Sequence, residues 1–65
     1  MNGYYDLRKV IGKVGVAKTD ISPKKTGVVW VEAEMWSALS DEEIKAGEKV
    51  KVIDIKGLTL VVKRA

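Results

Sequence analysis

The sequence predicts an all-β protein, a small closed barrel of five short strands. Three observations predict it. The chain has 65 residues and therefore one small core. From residue 13 onward, apolar and β-branched residues recur in short runs separated by turn signals. No long stretch repeats at the period of a helix, so nothing suggests alternating strands and helices. A domain of this size buries only about 60% of its unfolded surface. Closing the sheet suits such a marginal core, because closure removes sticky edges.

The opening segment, MNGYYDLRKVIG, stands apart. Tyr4, Leu7 and Ile11 have helical spacing, as do Leu7 and Val10. The segment is too short to hold a helix alone in water. Residues 1–12 read as a flexible tail or linker, and 13–65 as the barrel. The sharper reading of the tail is a docking or juxtamembrane segment, with Arg8, Lys9 and Lys13 beside anionic headgroups.

The first strand lies in KVGVAKTDI. Gly15, Ala17 and Thr19 share one face, small enough for a neighbouring backbone to approach. ISPKKTG follows as a loop. Pro23 cannot sit in a central strand, and Gly27 is expected to close the turn.

VVWVE and MWSAL then face each other across a tight turn near Glu32–Glu34. Side chains alternate along a strand. Val29, Val31, Trp36 and Ala38 therefore share one face, while Val28, Trp30, Met35, Ser37 and Leu39 share the other. The two tryptophans are expected to point opposite ways, Trp36 inward and Trp30 outward.

SDEEIKAGEK carries a capping-box pattern, Ser40 with Glu43, and a stop at Gly47. It predicts one helical turn between strands 3 and 4, anchored by Ile44. KVKVIDIKGLTLVVKR reads as a hairpin turning at Lys56–Gly57. Val50 and Val52 lie in one phase, Ile53 and Ile55 in the other. A bulge at residues 52–54 repairs the fault and bends the strand, as a small barrel requires. Five strands with an element between the third and fourth fit the OB-fold best, and an SH3-like barrel is the main rival.

Composition removes most chemistry. With no cysteine and no histidine, thiol catalysis, the commonest general base and most zinc sites are absent. Ser22, Ser37 and Ser40 have no histidine to activate them. Glu32 and Glu34 sit at a hairpin tip, and helix capping accounts for Asp41, Glu42 and Glu43. The reading is a non-enzyme with no catalytic residue, no metal and no cofactor. Twelve Lys/Arg against nine Asp/Glu give a net charge of +3, which permits an anionic partner without demanding one. No apolar run is long enough to span a bilayer.

Taken in order, GVAKTDISP (15–23), Gly27, Val29 and Val31, EMWSA (34–38), Ile44 with GEKVKV (47–52) and GLTLVV (57–62) resemble the C-terminal domain of NfeD proteins, the stomatin operon partner proteins. The match covers about three quarters of the chain. One departure is visible: the family usually has Gly in the turn after the second strand, where this chain has Ala33. Alanine at positive φ costs about 1 kcal/mol, so the turn is expected to shift by a residue.

The resemblance implies an OB-fold and a membrane-associated parent with transmembrane helices ahead of this soluble domain, on the cytoplasmic side. It also implies a stomatin- or prohibitin-like partner, and it brings no catalytic residue. The expected partner-binding strip is Val28, Trp30, Met35 and Leu39. Trp and Met are residues typical of interface cores. The rival for this strip is internal cover by Tyr4, Tyr5 and Leu7. The rival function is binding of single-stranded nucleic acid, which OB-folds perform by stacking bases on aromatics. That function usually needs several aromatics interleaved with Arg. This chain offers Trp30 alone on the outer strand face, with Arg8 and Arg64 near its ends.

Overall fold

The computed structural model describes residues 6–65. Five strands, β1 (Val14–Ala17), β2 (Gly27–Val31), β3 (Glu34–Leu39), β4 (Lys49–Lys56) and β5 (Thr59–Arg64), close into a barrel in the order β1-β2-β3-β5-β4. β1 also pairs with β4 and seals it. Strands β3 and β5 run parallel, and the other pairs are antiparallel. This is the OB-fold connectivity, and an SH3-like barrel is set aside.

The alternation read from the sequence is the core. Val29, Val31, Trp36, Ala38, Val50, Val52, Leu60 and Val62 are buried together. The bulge falls between Val52 and Asp54. Before it Val50 and Val52 face in, and past it Ile55 packs against the core while Ile53 stays outside. Gly15 has the predicted role. A Cβ there would lie 2.2 Å from the Trp30 carbonyl oxygen, so only glycine lets β1 and β2 come this close.

Five local expectations are corrected. First, no helix forms between β3 and β4. Ser40 Oγ accepts from the Glu42 N–H at 3.0 Å rather than from Glu43. Ile44 exchanges both backbone hydrogen bonds with Ile21, each 2.8 Å. The nine residues between β3 and β4 are pinned near their middle by that bridge, which leaves no slack for a helical turn. Ile44 still plugs the barrel, as part of a β-bridge. The acidic side chains are used otherwise: Glu42 Oε1 accepts from the Arg64 N–H at 2.8 Å, and the Arg64 guanidinium donates to the Glu43 carbonyl at 2.8 Å.

Second, a short 3-10 turn occurs instead at Leu7–Val10, inside the segment read as a tail. Asp6 caps it by accepting from the Arg8 N–H at 3.0 Å. Val10 is buried, and Leu7 and Ile11 pack against the core. The chain is tied on by the Gly12 N–H, which donates to the Val52 carbonyl at 2.8 Å. Val10 precedes β1 and Ile21 follows it, so they close opposite ends of the barrel.

Third, the turn after β2 does not shift. Glu32 and Ala33 both hold positive φ, 51° and 63°, and Val31 pairs with Glu34. Five residue pairs between β2 and β3 outweigh the strain of two non-glycine residues in the left-handed region. Fourth, the β4–β5 turn is Gly57–Leu58, one residue later than expected, because Lys56 still pairs with Thr59. Fifth, Gly27 does not close a turn. It opens β2 where Ile21, Asp20 and Thr19 crowd within 2.7 Å of a Cβ position.

Candidate partner-binding surface

The outer face of the β2–β3 hairpin carries the candidate site. Trp30 and Met35 are direct cross-strand partners and are 45% and 56% exposed. Such a pair has Cβ atoms about 5 Å apart, so indole and thioether form one surface. Val16 of β1 extends the row, since it pairs with Trp30 on the other side. Val28 lies opposite Ser37, and Leu39 beside Val61 of β5; both are half-buried. The four predicted residues thus share a face, with Trp30 and Met35 its accessible part and Val28 and Leu39 its base.

Two apolar residues join this surface from outside the hairpin. Leu7, Met35, Trp36 and Leu58, with Glu34 and Ser37, line an open groove of about 370 Å³. Leu7 comes from the 3-10 turn and Leu58 from the tip of the β4–β5 hairpin. Leu58 carried a signal in the sequence. It is a large aliphatic directly after a turn glycine, where a polar residue is usual. Cover by Tyr4 and Tyr5 falls outside the described residues. Of that proposed cover, Leu7 lies at the groove's edge and leaves Trp30 and Met35 accessible.

Trp36 bounds the groove from below. It is 9% exposed, and its Nε1–H donates to the Val31 carbonyl at 3.2 Å. That bond satisfies the indole's single donor and fixes the ring as part of the wall. Among the described residues no three His, Cys, Asp or Glu side chains group as metal ligands would, and no helix is long and apolar enough to cross a membrane.

The NfeD-like C-terminal, partner-binding domain model matches residues 8–64. The chain belongs to the NfeD family. Solved NfeD-type structures superpose closely on it. The C-terminal domain of a stomatin operon partner protein from Pyrococcus horikoshii has a TM-score of 0.83 at 36% identity, covering 95% of this chain and 97% of that one. The soluble domain of a membrane protein implicated in regulation of membrane protease activity, from Corynebacterium glutamicum, has a TM-score of 0.81 at 32% identity over 88% and 94%. The soluble domain of a Bacillus subtilis NfeD protein gives 0.78 at 27% identity over 86% and 74%.

Two curated relatives are longer. A membrane-bound protease of P. horikoshii is 40% identical over 86% of this chain but only 13% of its own length. An uncharacterized protein of Methanocaldococcus jannaschii is 32% identical over 86% of this chain and 41% of itself. The chain therefore corresponds to one NfeD domain of those proteins, in each case less than half their length.

Proposed function

We propose that this NfeD domain is a non-catalytic docking module of a membrane-associated protein, held on the cytoplasmic side. Its partner is a stomatin- or prohibitin-like membrane protein, gripped at Trp30 and Met35 with Val28 and Leu39 behind them. The observation that carries this reading is the exposed Trp30–Met35 pair beside an open apolar groove. Interface hot spots are enriched in tryptophan, and exposed apolar patches mark interaction sites. The family's description as partner-binding and the stomatin operon partner among the solved relatives support the choice of partner.

The test is titration of the chain with the soluble part of a stomatin-like protein, read by Trp30 fluorescence. A blue shift in the parent chain, with binding by calorimetry abolished in Trp30→Ala at unchanged melting temperature, is the expected result. Binding that survives Trp30→Ala and Met35→Ala together rejects this surface. A labelled single strand that binds at Trp30, with affinity falling steeply as salt rises, would assign the face to nucleic acid instead.

A further inference from the structure

Around the barrel from Val16, the β1–β4–β5 face has a different character. Val50, Val52 and Val62 point inward, so their neighbours Lys49, Lys51 and Lys63 point out. Lys51 and Lys63 are direct register partners on β4 and β5. Like charges placed directly opposite one another destabilise a sheet. Among the described residues the one salt bridge is Arg64 to Glu48, at 3.8 Å, so neither of these lysines is neutralised by an ion pair. The acid on this face is Asp54, past the bulge and opposite Val61, and its Oδ1 accepts from the Ile55 N–H at 2.8 Å.

Aliphatic side chains stand among these lysines. Val14 pairs with Lys51 and is 55% exposed; Val16 pairs with Lys49. Ile53, pushed out at the bulge, is 46% exposed. The row Val14–Lys51–Lys63 thus crosses three strands with a naked aliphatic at one end and two unshielded ammonium groups at the other.

We propose that this β1–β4–β5 face is a contact surface for an anionic lipid headgroup layer. Lysines suit a layer of phosphates with no fixed spacing, since each is a flexible point charge. Exposed valine and isoleucine suit the boundary between headgroups and acyl chains, while lysine stems lie along it and their heads reach phosphate. A nucleic-acid strand is a poorer fit, because among the described residues this face has no aromatic to stack a base, and the Arg64 guanidinium is engaged with the Glu43 carbonyl. Three lysines and two aliphatics give weak binding by themselves. For a domain already tethered beside a bilayer, weak contact is enough to set orientation, since the tether makes the second contact intramolecular. Only this use of the tether rests on the membrane-associated reading above. The face would then lie on lipid while the Trp30–Met35 side is left for a protein.

The chain should co-sediment with phosphatidylglycerol–phosphatidylcholine vesicles at low salt, at lipid concentrations up to the millimolar range. It should stay in solution with phosphatidylcholine alone and be released by added salt. Lys51→Gln/Lys63→Gln should weaken binding roughly twenty-five-fold, about five-fold per lysine. The same variant removes a like-charge pair, so it should melt no lower than the parent chain, and lost binding will not reflect lost fold. Trp30→Ala should bind vesicles normally, and the lysine variant should still bind the stomatin-like protein. Equal binding to neutral vesicles, no binding up to millimolar anionic lipid, or undiminished binding by the lysine variant would overturn the proposal. So would tighter binding of an oligonucleotide through the same two lysines.

Discussion

The two tryptophans of one hairpin occupy opposite environments. Trp36 is 9% exposed, packed among valines and tied by its Nε1–H to Val31. Trp30, one strand away, is 45% exposed and is paired with Val16 on one side and Met35 on the other. The same side chain closes the core in one place and is offered to solvent in the other. What differs is strand phase and register. Val29 pairs with Trp36, and Trp30 with Met35, so every step along the hairpin alternates inside and outside. Aromatic content alone therefore says nothing about a recognition surface; the parity of each position does.

That contrast can be tested at four depths. Trp36→Ala should have the largest effect. Burial of this ring is worth about 3 kcal/mol or more, which is most of what a domain at the low end of stability possesses. Urea denaturation should find the transition midpoint cut by about half or more. A variant that melts like the parent would mean the indole is not part of the core.

Gly15→Ala comes next. The new methyl would lie 2.2 Å from the Trp30 carbonyl oxygen and 2.5 Å from Val31 Cγ2. Backbone must move, at a cost of about 2 kcal/mol for overpacking. Urea unfolding should show a lower midpoint, with Trp30 emission altered as β1 is pushed from β2. Ala33→Gly should act in the opposite direction. It relieves a residue at φ 63° and should raise stability by about 1 kcal/mol in the same measurement. A loss of stability there would show that Ala33 makes a contact worth more than its strain.

Trp30→Ala should disturb the fold least, by about 0.5 kcal/mol or less, as for surface positions generally. Its effect belongs to spectroscopy and binding. Iodide should quench the red-shifted emission of Trp30 in the parent chain and spare the blue emission of Trp36. The variant should keep only the protected component. If iodide reaches both indoles equally, the inside–outside division of the hairpin is wrong.

The five strands and the division of β2 and β3 into an inner and an outer face were legible because each rests on turn signals and a period of two within a few residues. The bulge at Val52–Asp54 was legible for the same reason, as a break in that period. The segment around Ser40 was misleading. Ser-x-x-Glu favours a helix start locally, yet Ile44 is held by Ile21. The segment from Leu7 to Ile11 was read as tail because its own helical tendency is too weak. It is ordered by the apolar opening left at one end of the barrel, which Val10 fills.

Of the candidate surface, Val28, Trp30, Met35 and Leu39 could be grouped by alternation. Leu58 and Leu7 could not, since they reach the groove from distant segments. The pairing of Lys51 with Lys63 was equally hidden, because it depends on where the β4–β5 turn falls, and that turn sits one residue later than glycine placement suggested. The sequence alone decided which side chains alternate inward and outward within each strand, because β geometry imposes that locally. Tertiary structure alone decided which strands become neighbours, which loose segments are drawn into the ends, and which exposed side chains from different strands form one surface. Those outcomes depend on closing the barrel, and closure joins residues that no local pattern connects.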